Sequence, residues 1–312
     1  MRQENDVTPL PEIPRSLRDE MALIGPKWAS DTRGHIKLMI EHFSDVLKAS
    51  PKDQIEVRRD ISYGPHERQC FDLFLPAAAT TKRPALIFVH GGAFTEGNRN
   101  RTDEIYANIL YYFGRFGVVG INSGYRLAPE AQFPEATRDI GSIVKWTHEH
   151  ADELGVDPSR IFLMGHSAGG AHAASYAYDH RMHPASGPGI AGLIVVSGRV
   201  RADNRPDNPN ARRVEAYYGQ DPKVLEDASP VSHVDEHSVR TFIAMAEFEN
   251  PLIDVYCLEL AYRLAAAKRR APELIWMRGH NHTSIIGHIN TAEDTLGSAI
   301  RTFMDIDDHP VR

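Results

Sequence analysis

The sequence predicts an α/β fold: a mostly parallel central sheet with helices on both faces and an antiparallel strand pair at its start. Two observations carry this. From Pro76 onward, near-continuous apolar runs alternate with helical candidates, as strands buried on both faces alternate with crossover helices. At one such junction stands Gly165-His166-Ser167-Ala168-Gly169, a G-x-S-x-G sequence between an apolar run and an Ala-rich stretch that can open a helix. Strand, tight turn and helix are the setting of a nucleophile elbow, which pushes a serine hydroxyl outward.

The elements follow in order. Pro9, Pro11 and Pro14 mark an irregular arm, and residues 16–24 can form a short helix stopped by Gly25-Pro26. Ile36, Met39, Ile40, Phe43, Val46 and Leu47 recur at three- and four-residue spacing, which predicts an amphipathic helix. Its apolar face either packs on the body of the protein or helps to roof a pocket. Residues 1–50 are thus a helical arm and candidate cap, and 51–312 the main domain.

From Ile55 the period becomes two. Ile55, Val57 and Arg59 alternate with polar neighbours, Gly64-Pro65 interrupts, and residues 70–75 continue, which predicts two antiparallel strands. Strands are then expected at 85–89, 118–122, 161–164, 190–196, 241–246 and 274–277, and helices at 103–115, 135–154, 168–181, 252–268 and 291–303. The polar segment 199–239 breaks the alternation and is a candidate lid.

Functional residues of such sheets sit at the carboxyl ends of the strands. After 85–89 comes His90-Gly91-Gly92-Ala93-Phe94. Gly91 and Gly92, with Ala168 after the elbow serine, can aim backbone N–H groups at an oxyanion. His90 is expected to brace the loop. After 241–246 come Glu247, Glu249 and Asp254, any of which could orient a histidine. After 274–277 come His280 and His282, either of which could be the base. The chain order Ser, acid, His is the order this architecture uses.

Composition narrows the function classes. The chain has 312 residues, 42% hydrophobic content and a net charge of −7 without a long basic run, which argues against nucleic acid as a partner. Cys70 and Cys257 lie far apart in apolar segments and suggest neither a disulfide framework nor a metal site. The histidines at 280, 282 and 288 match no metal-ligand spacing. Gly187 to Gly192 fits G-x-G-x-x-G but precedes a strand, so no dinucleotide site is expected. No apolar run has the length of a membrane span, and the polar start Met1 to Asp6 has no leader-like core. A cytoplasmic protein without cofactor is expected, and a homo-oligomer is compatible with the composition.

The stretches His90 to Phe94, Tyr125-Arg126-Leu127-Ala128-Pro129-Glu130, Phe133-Pro134-Glu135-Ala136 and Gly165 to Gly170 resemble α/β-hydrolases of the hormone-sensitive-lipase-like carboxylesterase group. Val196-Ser197-Gly198, Tyr217-Tyr218-Gly219, Ser229-Pro230 and the 279–284 loop are similar to the kynurenine formamidase branch of that superfamily. The resemblance spans roughly residues 55–305. It implies an α/β-hydrolase fold and a serine hydrolase cleaving a small or medium carboxylic ester through an acyl-enzyme, or an amide or formamide by the same triad. A non-catalytic ligand-binding protein on this fold is the reading from another class. Ser167 is the implied nucleophile, Gly91, Gly92 and Ala168 the oxyanion donors, and His282 the base ahead of His280. The lipase-like group carries Asp-Pro-Leu where this chain has Asn250-Pro251-Leu252. Asparagine cannot accept charge from an imidazolium, so Glu249 is the expected acid, ahead of Asp254 and Glu247. Phe94 and Leu252, beside these loops, are the expected pocket-lining residues.

Overall fold

A helical arm precedes the sheet in the computed structural model, which describes residues 9–77, 81–307 and 309–310. The polar segment 1–8, where no leader is expected, lies outside the described residues. Helix α1 (Arg15–Ile24) gives way at Gly25 to a 3-10 turn, Gly25–Asp31. The expected stop at Gly25-Pro26 ends the α-helix but not the helical winding, because a proline fits a first turn, where its missing N–H is not needed. Asp31 caps α2 (Thr32–Leu47) by accepting the N–H of Gly34 at 3.0 Å. Met39, Phe43 and Leu47 are buried on the body of the protein, whereas Ile36 and Ile40 line a cavity. The face of this helix therefore does both things its periodicity allowed.

Strands β1 (Ile55–Ser62) and β2 (Cys70–Pro76) pair antiparallel, and β2 runs antiparallel to β4. The parallel body follows: β3 (Arg83–Val89), α3 (Ala107–Gly114), β4 (Val119–Ser123), α4 (Glu135–Glu149), α5 (Ala151–Leu154), β5 (Val156–His166), α6 (Ala168–Tyr178) and β6 (Gly192–Val196). After β6 come α7 (Ala211–Tyr218), α8 (Pro222–Ala228), β7 (Thr241–Phe248), α9 (Ile253–Lys268), β8 (Glu273–Asn281), α10 (Ser284–Gly287) and α11 (Thr295–Phe303). The sheet order is β1-β2-β4-β3-β5-β6-β7-β8, with every pair from β4 to β8 parallel. Apolar side chains cover both faces of the sheet, as the continuous apolar runs require.

Several expectations need correction. The helix over 135–154 breaks at His150 into α4 and α5. The helix expected from residue 291 begins only at Thr295. Strand β8 is, among the described residues, an edge and not an interior strand, and its Leu274 is 41% and Trp276 50% exposed. Segment 199–239, the candidate lid, carries α7, α8 and a 3-10 turn at Pro230–His233. Among the described residues no helix is long and apolar enough to cross a membrane.

Candidate active site

Ser167 stands between β5 and α6 at φ 56°, ψ −121°. That left-handed region is unfavourable for a residue with a Cβ and persists only where its surroundings impose it. They do so here through close approach: a Cβ on Gly169 would lie 2.2 Å from the carbonyl oxygen of Val89. The elbow serine is thereby pressed against the carboxyl end of β3.

His282, just past β8, places Nε2 3.0 Å from Ser167 Oγ. Its Nδ1 lies 2.6 Å from Glu249 Oε2. Both side chains are almost wholly removed from water, at 4% and 3% exposure. Glu249 follows β7, and its other oxygen, Oε1, accepts from Ser197 Oγ at 2.5 Å and from the N–H of Ala246 at 2.7 Å. Two donors on one oxygen leave the other aimed at the imidazole. This fixes Nδ1 as the protonated nitrogen and Nε2 as the one able to take a proton from Ser167. His166 braces the arrangement from below, its Nε2 2.9 Å from the carbonyl oxygen of His282. Burial, reinforced by His282, holds the His166 pKa well below the usual range, so His166 is neutral and donates there.

The remaining candidates fall elsewhere. His280 faces Glu293 at 2.9 Å and Ser284 Oγ at 3.1 Å. Glu247 accepts the N–H of Gly279 at 2.7 Å, and Asp254 is exposed in the first turn of α9. Asn250, at the position where the lipase-like group has its aspartate, accepts from Trp28 Nε1 at 2.8 Å. It ties the arm to the body, and the carboxylate facing His282 comes from the residue before it.

Gly91 and Gly92 line the cavity together with Ser167 and His282. A Cβ on Gly91 would stand 3.0 Å from Ser167 Cβ, and Gly92, at φ 153°, would drive one to 1.7 Å from the carbonyl oxygen of Glu96. Only glycine fits that bend. The N–H of Ala168 opens α6, where a helix has no internal acceptor for it. His90 lies 2.8 Å from the Gly91 carbonyl, and burial pulls its pKa down to about 3, so it stays neutral as a brace for this loop.

The cavity measures about 390 Å³. The arm supplies Ser30, Ile36 and Ile40 to its wall, and segment 199–239 supplies Pro209 and Asn210. Phe94 and Leu252 are not where they were expected. Phe94, at φ 71° and 1% exposed, lies in the core and stacks on Tyr217 at 5.2 Å, where its ring finds aromatic partners. Leu252, half-buried, packs against the core just before α9. Sequence reasoning missed Ser197 as a partner of the carboxylate and His166 as a partner of His282. The signal for Ser197 was its place directly after β6, at the carboxyl end of a strand.

The BD-FAE family model matches residues 71–254. The chain is similar to Esterase LipC of Mycobacterium tuberculosis, 28% identical over 58% of this chain and 48% of that protein. It is similar to an arylesterase of Saccharolobus solfataricus, 32% identical over 40% of each. The chain spans about half or less of the length of the first curated relatives it matches. Among solved structures, a hyperthermophilic esterase from Pyrobaculum calidifontis superposes with a TM-score of 0.66 at 21% identity, over 94% of this chain and 97% of that one. A bacterial heroin esterase gives 0.65 at 24% identity, over 94% and 92%. At these identities the structural likeness establishes the fold, and the family match covers more than half the sequence. This chain is a member of the BD-FAE family, with an α/β-hydrolase fold.

Proposed function

We propose that the protein hydrolyses small or medium carboxylic esters through an acyl-enzyme on Ser167. The observation that carries this is the unbroken relay from Ser167 Oγ through both nitrogens of His282 to Glu249. In the first half-reaction Ser167 Oγ attacks the ester carbonyl carbon while His282 Nε2 takes its proton. The carbonyl oxygen becomes an oxyanion, received by the N–H groups of Gly91, Gly92 and Ala168. Glu249 stabilises the imidazolium without taking its proton. His282 then protonates the departing alkoxide, leaving the acyl group on Ser167. In the second half water attacks that ester, giving its proton to His282; the acyl–Oγ bond then breaks as His282 returns a proton to Ser167, and the carboxylic acid leaves. The arm and segment 199–239 wall the cavity and thereby set which esters enter. The esterase names of the similar proteins support the same reading.

The test is a panel of p-nitrophenyl esters of rising acyl length, with Ser167→Ala as control. Turnover that Ser167→Ala lowers by about 10³-fold or more is expected, because nucleophile and base act as a unit. A fluorophosphonate probe should label the wild-type chain and not the variant. Failure of the wild type to react with that probe would overturn the reading in favour of a non-catalytic binder. A matched aryl ester and anilide then measures how far the leaving group extends to amines.

A further inference from the structure

Cleavage of an ester on Ser167 does not by itself call for the cations in this cavity. Arg33, Arg101, Arg199 and Arg213 line it, against two carboxylates, Asp31 and Glu96. Both carboxylates are engaged: Glu96 is ion-paired with Arg213, and Asp31 caps α2. Among the described residues Arg33, Arg101 and Arg199 have no ion pair.

Arg199 is 2% exposed. Its backbone N–H donates to the Ser167 carbonyl at 3.0 Å, which sets the residue directly beside the nucleophile. Its guanidinium lies 5.5 Å from the Tyr256 ring centre, and Nη1 reaches Asn208 Oδ1 at 3.4 Å. Nη2 has no hydrogen-bond partner. Asp203 is close enough to be felt electrostatically, but its carboxylate is taken up by the Tyr256 hydroxyl and by Arg205. Burial lowers the pKa of Arg199 from the usual arginine range, yet a guanidinium does not give up its proton in proteins. A buried cation with an unmet donor is costly in the free protein. Nη2 is itself closed off from solvent and the Tyr256 hydroxyl lies beside the group, so a ligand carboxylate at this wall would supply the missing counter-charge, and a charge-assisted hydrogen bond on a small shift of the side chain. Arg33 and Arg101 are exposed at the cavity wall, where they favour entry of an anion.

We propose that the substrate of this cavity carries a carboxylate in its non-reacting part, received by Arg199 within and drawn in by Arg33 and Arg101. This rests on the ester-hydrolase reading above. It excludes simple neutral esters as the best substrates and selects monoesters of dicarboxylic acids, or esters whose alcohol part is itself an acid.

Two substrate pairs separate these sources. Monomethyl glutarate against dimethyl glutarate, counted per ester bond, puts the charge in the acyl part. The anion of 4-acetoxybenzoic acid against 4-acetoxybenzamide puts it in the leaving group. In at least one pair kcat/KM should favour the anion by about tenfold or more at low ionic strength, as a charge-assisted bond allows. The preference should shrink in 0.5 M NaCl, roughly as screening predicts. Arg199→Gln and Arg101→Gln should each reduce it by about three- to tenfold. If Arg199→Gln does not fold, the double variant Arg33→Gln/Arg101→Gln, at exposed positions, carries the comparison. Turnover of the neutral partners as fast as the anions in both pairs overturns the proposal and leaves the ester-hydrolase reading standing. If none of the four is turned over, titration of glutarate and 4-hydroxybenzoate into the Ser167→Ala chain decides. Binding that Arg101→Gln weakens at least threefold upholds recognition of the anion, and absent binding, or binding that Arg101→Gln leaves unchanged, overturns the proposal; the p-nitrophenyl panel decides the ester-hydrolase reading separately.

Discussion

Replacing Glu249 by Gln tests the relay at its least ordinary member. Oε1 of Glu249 receives two donors, Ser197 Oγ and the N–H of Ala246, while Oε2 faces His282 Nδ1. In the variant the amide oxygen belongs on the side of the two donors. The amide NH₂ then faces Nδ1 and demands the imidazole tautomer with the proton on Nε2, which cannot accept from Ser167. Flipping the amide restores the useful tautomer but sets its NH₂ against the N–H of Ala246. The serine hydroxyl can rotate to accept, whereas a backbone N–H cannot. The flip therefore strands buried donors at about 1–3 kcal/mol each. The imidazolium also loses its counter-charge. Both effects act together in an acid-to-amide exchange at this position of a triad, which costs about 10⁴ in kcat, or about 5.4 kcal/mol at 1.36 kcal/mol per decade. Initial rates on p-nitrophenyl butyrate, with thermal unfolding to confirm an intact fold, measure it. Asp254→Asn and Glu247→Gln should stay within about threefold, since neither carboxylate reaches His282 and surface changes are usually small. If Glu249→Gln kept a tenth of the wild-type rate while Asp254→Asn lost 10³, the assignment of the acid would be wrong.

Two further outcomes follow from the same contacts. Ser197→Ala removes one charge-assisted bond to Glu249 and leaves the one from Ala246, so kcat should fall about tenfold with KM within about twofold; equal kcat would mean that Ser197 has no positioning role. Burial holds His172 near pKa 3, as it does His90, so both stay neutral when folded while the unfolded chain binds their protons below pH about 6.5. Their contribution to stability is complete above that pH and is lost as pH falls toward 3, by up to about 1.4 kcal/mol per pH unit for each. Urea unfolding at pH 7.5, 6 and 5 should show the decline, and His172→Leu should make it shallower. Stability that is flat or rises on acidification would contradict this.

The sequence displayed some of these features openly and hid others for physical reasons. The elbow was legible because its constraints are local: a strand must enter, a helix must leave, and the neighbours of Ser167 must be small. The three carboxylates around the end of β7 were legible only as a group. Which one meets His282 depends on the turn through Asn250 and on Leu252 at φ 72°, and neither has a period to read. Apolarity marked β8 as a strand but could not reveal that the sheet ends there. Phe94 was misplaced because nearness in sequence to a catalytic loop says nothing about the face its side chain takes. The unpaired state of Arg199 arises from residues 167, 203, 208 and 256 meeting in space, which no single window of sequence contains.

The anchoring of the arm has a consequence for biosynthesis. Trp28 bonds to Asn250, 222 positions later, and Arg18 to Glu293, 275 positions later. The N–H of Ala292 likewise finds its acceptor on Pro11. At typical elongation speeds the arm leaves the ribosome roughly 10–60 s before its seat exists. Through that interval Ile13, Leu17, Met21 and Trp28, all buried in the finished protein, have no native surface to cover them. The arm that walls the cavity is thus made before the elements it docks on, and a chain stalled before β8 lacks both His282 and part of that seat.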